Sequence, residues 1–247
     1  MIQVWLRNFL FFRKTFLVSL FWTVLEPTMS LLAIGFGLGR FVEQIEGLTF
    51  IEFYYPGLLA TSAMMVSYFE STYPNYTKLT YQKTFSTILL TPIDSNQILM
   101  GEILWAATKG FIGVLGVILV SLFFGLFKVQ LLLTLPILFL LCLVFASFGL
   151  IMTATAKNYD SFIFSTSGII VPMSLISGTY FSLNQTPEFI KVLAQLLPLT
   201  HAVSLTRTIM YKNYNLNTIA LDIGVLLIYF LVCLFIARRL FAKKLVL

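Results

Sequence analysis

The chain has 247 residues, 59% of them hydrophobic and 11% charged, with a formal net charge of +6. That balance is too apolar for a water-soluble domain, and no long charged stretch marks an appended one. The basic excess would suggest nucleic acid in a soluble protein. Here it flanks apolar stretches, which points to anionic lipid and leaves nucleic acid out of the expected partners.

Residues 1–15 read as an interfacial helix. Ile2, Trp5, Leu6, Phe9, Leu10 and Phe12 recur at helical spacing, while Gln3, Arg7 and Lys14 fall on the other face. The pattern predicts a helix lying in the membrane surface with Trp5 at headgroup depth. Such a helix either only fixes the tilt of the first span or also touches a cytoplasmic partner. No small-residue cleavage site follows a short apolar core, so no removed signal peptide is expected and the first span is a retained anchor.

Six apolar stretches follow, at Phe16–Gly39, Pro56–Tyr76, Ile103–Phe127, Leu131–Ala156, Phe162–Phe181 and Ile219–Ala237. A helix rises about 1.5 Å per residue, so about 20 apolar residues cross a hydrocarbon core of about 30 Å. All six meet that length, although the second carries several polar residues. The predicted fold is an all-α integral membrane protein with six transmembrane helices forming one domain over residues 1–247. Of the sixteen Lys and Arg, ten (Arg7, Arg13, Lys14, Lys78, Lys83, Lys157, Arg238, Arg239, Lys243 and Lys244) share one side of this topology. Lys109 is borderline, and Arg40, Lys128, Lys191, Arg207 and Lys212 lie on the other side, with Glu43, Glu46 and Glu52 in its first loop. The positive-inside rule then places both termini in the cytoplasm.

The connection 78–100 is the longest on the cytoplasmic side. Tyr81, Phe85, Ile88 and Leu89 fall at i, i+4, i+7 and i+8, one apolar stripe on a short helix. Thr80, Gln82, Lys83, Thr84, Ser86 and Thr87 cover the rest, and Thr91–Pro92 ends it. Asp94 with Gln97 resembles a capping pair that starts the next helix. The short helix either rests on lipid or serves as a lever gripped by a soluble partner. Between the fifth and sixth spans, Thr186–Pro187 is a helix start and Pro198 breaks the apolar run 189–209. A crossing there would carry the basic tail out of the cytoplasm. The run is therefore predicted to be a re-entrant pair of short helices, over 186–210, dipping into the outer leaflet.

Ionisable residues inside spans are costly, about 3 kcal/mol for a central carboxylate, and therefore informative. Glu26 lies mid-span before Pro27, and Glu70 lies among Tyr68, Ser71, Thr72, Tyr73 and Asn75. Both carboxylates should face protein or water, as the lining of a substrate path or as hydrogen bonds closing helix kinks. Lys109 and Asp222 lie nearer span ends, where snorkelling suffices. Gly110, Gly113 and Gly116, and Gly35, Gly37 and Gly39, mark close packing within a bundle or between copies. Cys142 and Cys233 lie in spans and give neither a disulfide framework nor metal spacing. There is no phosphate-gripping loop, and no second base is expected to accompany the sole histidine, His201. Neither an enzyme nor a metal or nucleotide site of its own is expected.

Several stretches carry a family resemblance: A-T-S-A-M (Ala60–Met64), F-E-S-T-Y (Phe69–Tyr73), L-L-T-P-I (Leu89–Ile93) and G-E-I-L-W-A-A-T-K (Gly101–Lys109). S-G-T-Y-F (Ser177–Phe181) and L-L-P-L-T-H (Leu196–His201), followed by Arg207, complete the set. Their order over nearly the whole chain resembles the membrane subunit of type-2 ABC exporters, particularly the nodulation-factor (NodJ) branch that exports lipo-oligosaccharides. The resemblance implies a subunit that pairs with a second copy and with two cytoplasmic ATPase subunits, which hold the ATP and Mg²⁺. It implies a coupling helix over Tyr81–Ile93, with Lys83, Thr84, Phe85, Ile88, Leu89, Leu90, Thr91 and Pro92 meeting the ATPase. Glu26, Tyr68, Glu70 and Tyr73 are the candidates for the substrate path. One departure is Glu26 itself, since the branch often has aspartate before the first-span proline.

The expected function is therefore an ATP-driven export permease of a bacterial inner membrane, moving a lipo-oligosaccharide, glycolipid or lipid-linked glycan. A drug-like hydrophobic compound or a polysaccharide is the alternative cargo. An ion-gradient-driven carrier and a non-transporting membrane scaffold are the rival classes.

Overall fold

A computed structural model describes residues 1–42, 44–211 and 216–246. The predicted loop charges Glu43 and Lys212 lie outside the described residues. The described chain is helical, with one isolated antiparallel bridge, Ile45 to Leu48. The helices are α1 (Ile2–Lys14), α2 (Phe16–Ser30, continued by a π-helix Leu31–Leu38), α3 (Phe50–Tyr76, continued by a π-turn Thr77–Tyr81) and α4 (Thr84–Leu89). They continue as α5 (Ser95–Phe123), α6 (Leu131–Thr155), α7 (Asp160–Ser165), α8 (Val171–Ile176), α9 (Glu188–Gln195), α10 (Pro198–Met210) and α11 (Leu216–Val246).

Among the described residues, four helical segments, Phe16–Leu38, Ser95–Phe123, Leu131–Thr155 and Leu216–Leu245, are long and apolar enough to cross a membrane. α3 has the length, at 27 residues, but not the apolarity. Its polar side chains explain both facts: Ser62, Ser67, Ser71, Thr72 and Asn75 are all buried, because α3 is the central helix, packed against α5, α6 and α10. A helix sheathed by other helices has little lipid to face.

Several predicted boundaries are corrected. The fifth stretch is helical over Asp160–Ile176, through a π-turn at Thr166–Ile170, and Ser177–Phe181 leaves the helix. Gly178 there has φ +75°, a left-handed conformation that ends a helix at little cost only for glycine. The third stretch starts earlier, at Ser95, and stops at Phe123, ahead of Gly125 at φ +68°. The sixth runs on through its basic tail. The pair α9–α10 bends by 91° at Leu197–Pro198, as the proline requires, with Pro198 starting α10. Pro187 takes the capping position of α9 rather than its first turn, and the Thr186 hydroxyl turns back to the Leu183 carbonyl (2.8 Å).

Five of the six predicted packing glycines meet neighbouring elements of the same chain, whereas Gly37 has nothing nearer than the Leu32 carbonyl at 3.9 Å. A Cβ at Gly110 would lie 2.0 Å from Ser67 Oγ of α3, and at Gly113 and Gly116 it would meet Thr23 and Val24 of α2. Gly149, not singled out by sequence, is the tightest. There a Cβ would fall 1.9 Å from Ser71 Oγ and 3.0 Å from the Tyr68 carbonyl, at the broad α3–α6 contact. Because backbone cannot yield as a side chain does, Gly149→Ala is expected to cost about 1–3 kcal/mol. Gly224→Ala, with nothing within 4 Å, should be neutral or stabilising. Unfolding of the two variants in one detergent measures the difference.

Candidate functional site

The start of α1, α4 and the last turns of α11 lie at one end of the bundle. The Tyr81–Ile93 helix is shorter than predicted, covering only Thr84–Leu89, because Lys83 adopts a left-handed conformation (φ 53°) that separates it from the turn holding Tyr81. Its apolar stripe faces inward. Phe85 is fully buried against Phe241 of α11, ring centroids 5.5 Å apart, and Ile88, Leu89 and Ile93 are half-buried against the same core. The outer surface consists of Tyr81, Lys83, Ser86, Thr87, Leu90, Thr91 and Pro92, with Leu90 88% exposed; Thr84 is half-buried. On the far side Asp94 caps α5, its carboxylate accepting from the Gln97 N–H at 2.7 Å. The segment is therefore braced between α3 and α5 and presents a short apolar and hydroxyl tip.

α1 is fastened to the same end by a carboxylate that sequence reading passed over. Glu102 of α5 has no exposed surface. It accepts hydrogen bonds from Arg7 Nη2 (3.0 Å), Asn8 Nδ2 (2.9 Å) and Lys78 Nζ (2.8 Å). Lys78 also donates to Asn8 and Asn75, each at 3.2 Å. Val4 sits over Gly101, and Trp5 Nε1 donates to Thr108 at 3.1 Å. Arg7 is thus turned inward rather than outward, and the inner face of α1 is Val4, Asn8 and Phe12. Ile2, Leu6, Phe9, Leu10 and Phe11 remain exposed, as a surface helix against lipid needs.

Glu70 and Lys109 meet 2.6 Å apart, and Trp105 Nε1 donates to Glu70 at 2.7 Å. Neither side chain needs to reach for water, so Lys109 does not snorkel as predicted. A cavity of about 400 Å³ between α1, α3 and α5 is lined by Arg7, Glu70, Lys78 and Lys109 on its polar side, and by Phe12 and Trp105 on its apolar side. Tyr68 is fully buried, its hydroxyl bonded to that of Ser165, and Tyr73 stacks on Tyr159. Glu26, by contrast, is exposed on α2 with no ion pair or hydrogen bond among the described residues. It lies within electrostatic reach of Tyr54 and Tyr180, whose rings pack together at 5.5 Å. Of the four path candidates, Glu26 alone offers an unpartnered charge on a free surface.

At the opposite end, His201 and Asp222 tie α10 to α11. His201 Nδ1 and Asp222 are 2.6 Å apart, and Nε2 lies 2.8 Å from the Gln195 carbonyl. Asp222 is buried in this pair and does not snorkel. Arg207 donates from Nη2 to the carbonyls of Phe53 and Gly178, each at 3.0 Å, and lies over the Phe53 ring at 3.7 Å.

Residues 1–211 match the family model described as ABC-2 type transporter. The chain belongs to that family. It is 36% identical to Nodulation protein J of Rhizobium meliloti strain 1021 over 245 residues, covering 99% of this chain and 93% of the relative. Nodulation protein J of Rhizobium leguminosarum bv. viciae is 35% identical over 99% and 94%. A more distant relative, the inner membrane transport permease YadH of Escherichia coli strain K12, is 24% identical over 96% and 94%. No solved structure matches the chain. This ABC-2 permease, like Nodulation protein J in sequence, is thus a multi-pass membrane protein of several apolar helices.

Within this ABC-2 framework, Tyr81, Lys83, Leu90, Thr91 and Pro92 of the expected coupling residues are exposed, while Phe85 is buried and Thr84, Ile88, Leu89 and Ile93 are half-buried; Glu26 lies on α2, apart from Tyr68, Glu70 and Tyr73. Glu102, which fastens α1 to α5, was the buried charge that sequence reading missed. Its signal is a carboxylate between Gly101 and an apolar run, one helix away from the cations Arg7 and Lys78.

Proposed function

We propose that the chain is the membrane half of an ATP-driven exporter, working as two copies with two cytoplasmic ATPase subunits that hold the ATP and Mg²⁺. The chain itself has no catalytic role and holds no cofactor. It crosses a bacterial inner membrane six times with both termini in the cytoplasm. α3 crosses because its polar groups are sheathed, and the segment Asp160–Ile176 crosses with about 25 Å of helical rise. The cargo is an amphipathic lipo-oligosaccharide, glycolipid or lipid-linked glycan, a reading drawn from the relatives named Nodulation protein J.

The observation that carries the proposal is the braced α4 with Leu90 bare at its tip. A lone exposed leucine is ordinary on a protein surface; its place supports the reading, on a segment held by the Asp94 cap and by Phe85 on Phe241 and joined directly to α3 and α5. ATPase closure pushes that tip and tilts the attached α3 and α5, and the space between two copies, which Glu26 faces, opens. The cavity beside α1, lined by the paired charges Arg7, Lys78, Lys109 and Glu70 and by the rings of Phe12 and Trp105, suits the headgroup and first methylenes of an amphipathic molecule arriving from the inner leaflet. The test is ATP hydrolysis by the co-purified ATPase complex in nanodiscs, with and without extracted glycolipid. Stimulation by glycolipid is expected. A rate indifferent to every glycolipid supplied contradicts the proposal.

A further inference from the structure

The end of the bundle remote from α4 holds a cavity of about 450 Å³ that takes no part in the lever or the α1 cluster. Its volume falls in the range of about 300–1,000 Å³ usual for small-ligand sites. Three walls enclose it: the turn Ile45–Leu48, the segment 177–184 that follows α8, and one face of α10.

Each wall is held by polar contacts. Glu46 (φ 53°) and Gly47 (φ 78°) make the turn tight, and the Glu46 carboxylate accepts from the Ser182 hydroxyl and from Asn184 Nδ2 (3.0 Å). Gly178 is left-handed, and a Cβ there would press on Leu183 Cγ at 3.1 Å. Its carbonyl and that of Phe53 immobilise Arg207. On α10, Thr200, Ser204 and Thr208 fall at i, i+4 and i+8, with Val203 and Arg207 one position before the last two. One helix face therefore offers a ladder of hydroxyls beside a fixed guanidinium.

Two polar groups in this wall lack partners. Thr200 is 7% exposed, and its hydroxyl is buried with no hydrogen bond; Arg207 Nε is in the same condition. Leaving such groups unpaired is costly, so an occupant that supplies both an acceptor and a donor gains from them.

The balance of charge narrows that occupant. Arg207 faces a lining that includes Glu46, so an anion meets repulsion as well as attraction. A purely apolar ligand would leave the hydroxyls, the guanidinium and the carboxylate unmatched. A ring bearing several hydroxyls fits both needs. Each of its hydroxyls donates and accepts, matching Thr200, Ser204, Thr208, Arg207 and Glu46, while its C–H face lies on Leu48, Leu183 and Val203. We propose that this cavity binds an uncharged sugar unit. Its role as a subsite for the glycan of an exported molecule rests on the exporter reading, whereas the binding itself does not.

The experiment uses the full chain in nanodiscs, without ATPase or nucleotide, titrated calorimetrically with cellotriose, maltotriose and mannotriose, and with inorganic phosphate. Saturable binding of at least one trisaccharide, with a dissociation constant below about 1 mM, is expected. Ser204→Trp fills the cavity from an exposed position that makes no hydrogen bond among the described residues, and should weaken that binding at least tenfold. Thr208→Val, which removes a hydroxyl without adding bulk, should weaken it severalfold at unchanged thermal stability. Absence of binding by all three trisaccharides, binding indifferent to Ser204→Trp, or phosphate displacing the sugar would each overturn the assignment. ATP-driven export without sugar binding would remove the subsite and leave the exporter standing. Sugar binding without export would do the reverse.

Discussion

Replacing Glu102 with alanine is expected to lower the stability of the purified chain by about 3 kcal/mol and to free α1 from the bundle. Glu102 is fully buried and pairs with both Arg7 and Lys78 while accepting from Asn8. Removing it leaves two cations and an amide pointing at one another. Breaking a buried ion cluster from one side costs about 3–5 kcal/mol. The low end applies because the Arg7 side chain keeps 35% of its exposure and can turn back to water. Glu102→Gln keeps the shape but not the charge and should fall between wild type and alanine. Denaturant unfolding in one detergent gives the stability, and Trp5 fluorescence with proteolysis near Thr15 reports α1. An unchanged midpoint with α1 still protected would remove Glu102 as its fastening.

The second large effect separates the two faces of the α4 segment. Leu90→Asp is expected to leave folding intact, because the side chain is 88% exposed, and to abolish both ATPase co-purification and export. Phe85→Asp should instead damage the protomer itself. Its ring is buried on Phe241, and loss of a buried aromatic alone costs about 3–5 kcal/mol before any charge is buried. Charging the whole stripe of Phe85, Ile88 and Leu89 would therefore confuse unfolding with uncoupling. The informative pattern is normal stability with lost export for Leu90→Asp. Normal export by that variant would take the lever assignment away from this tip.

What could be read in advance follows from how local each signal is. The α9–α10 break at Pro198 and the cap at Asp94 depend on neighbours in sequence, and both were legible. The apolar stripe of α4 was also legible, but not its direction, because Phe241 lies far along the chain. The same limit hid the pairing of Lys109 with Glu70 and of Asp222 with His201. Snorkelling is the local answer for a charge near a span end, and a partner on another helix overrides it. The polar α3 shows the limit for hydropathy. Composition alone does not say whether a polar helix lies inside the bundle or outside the membrane, whereas burial of Ser67, Ser71 and Thr72 does. The end of the fifth helix turned on the conformation of one residue, Gly178, which no periodicity reveals.

The central claim is that this chain is a passive half-pathway worked by a partner's nucleotide hydrolysis. The most direct test measures glycolipid movement across proteoliposomes prepared in two ways: the chain with its ATPase and ATP, and the chain alone with a proton or sodium gradient. Movement is expected only in the first preparation, and it should stop when ATP is replaced by a non-hydrolysable analogue. Vigorous movement in the second would contradict the claim.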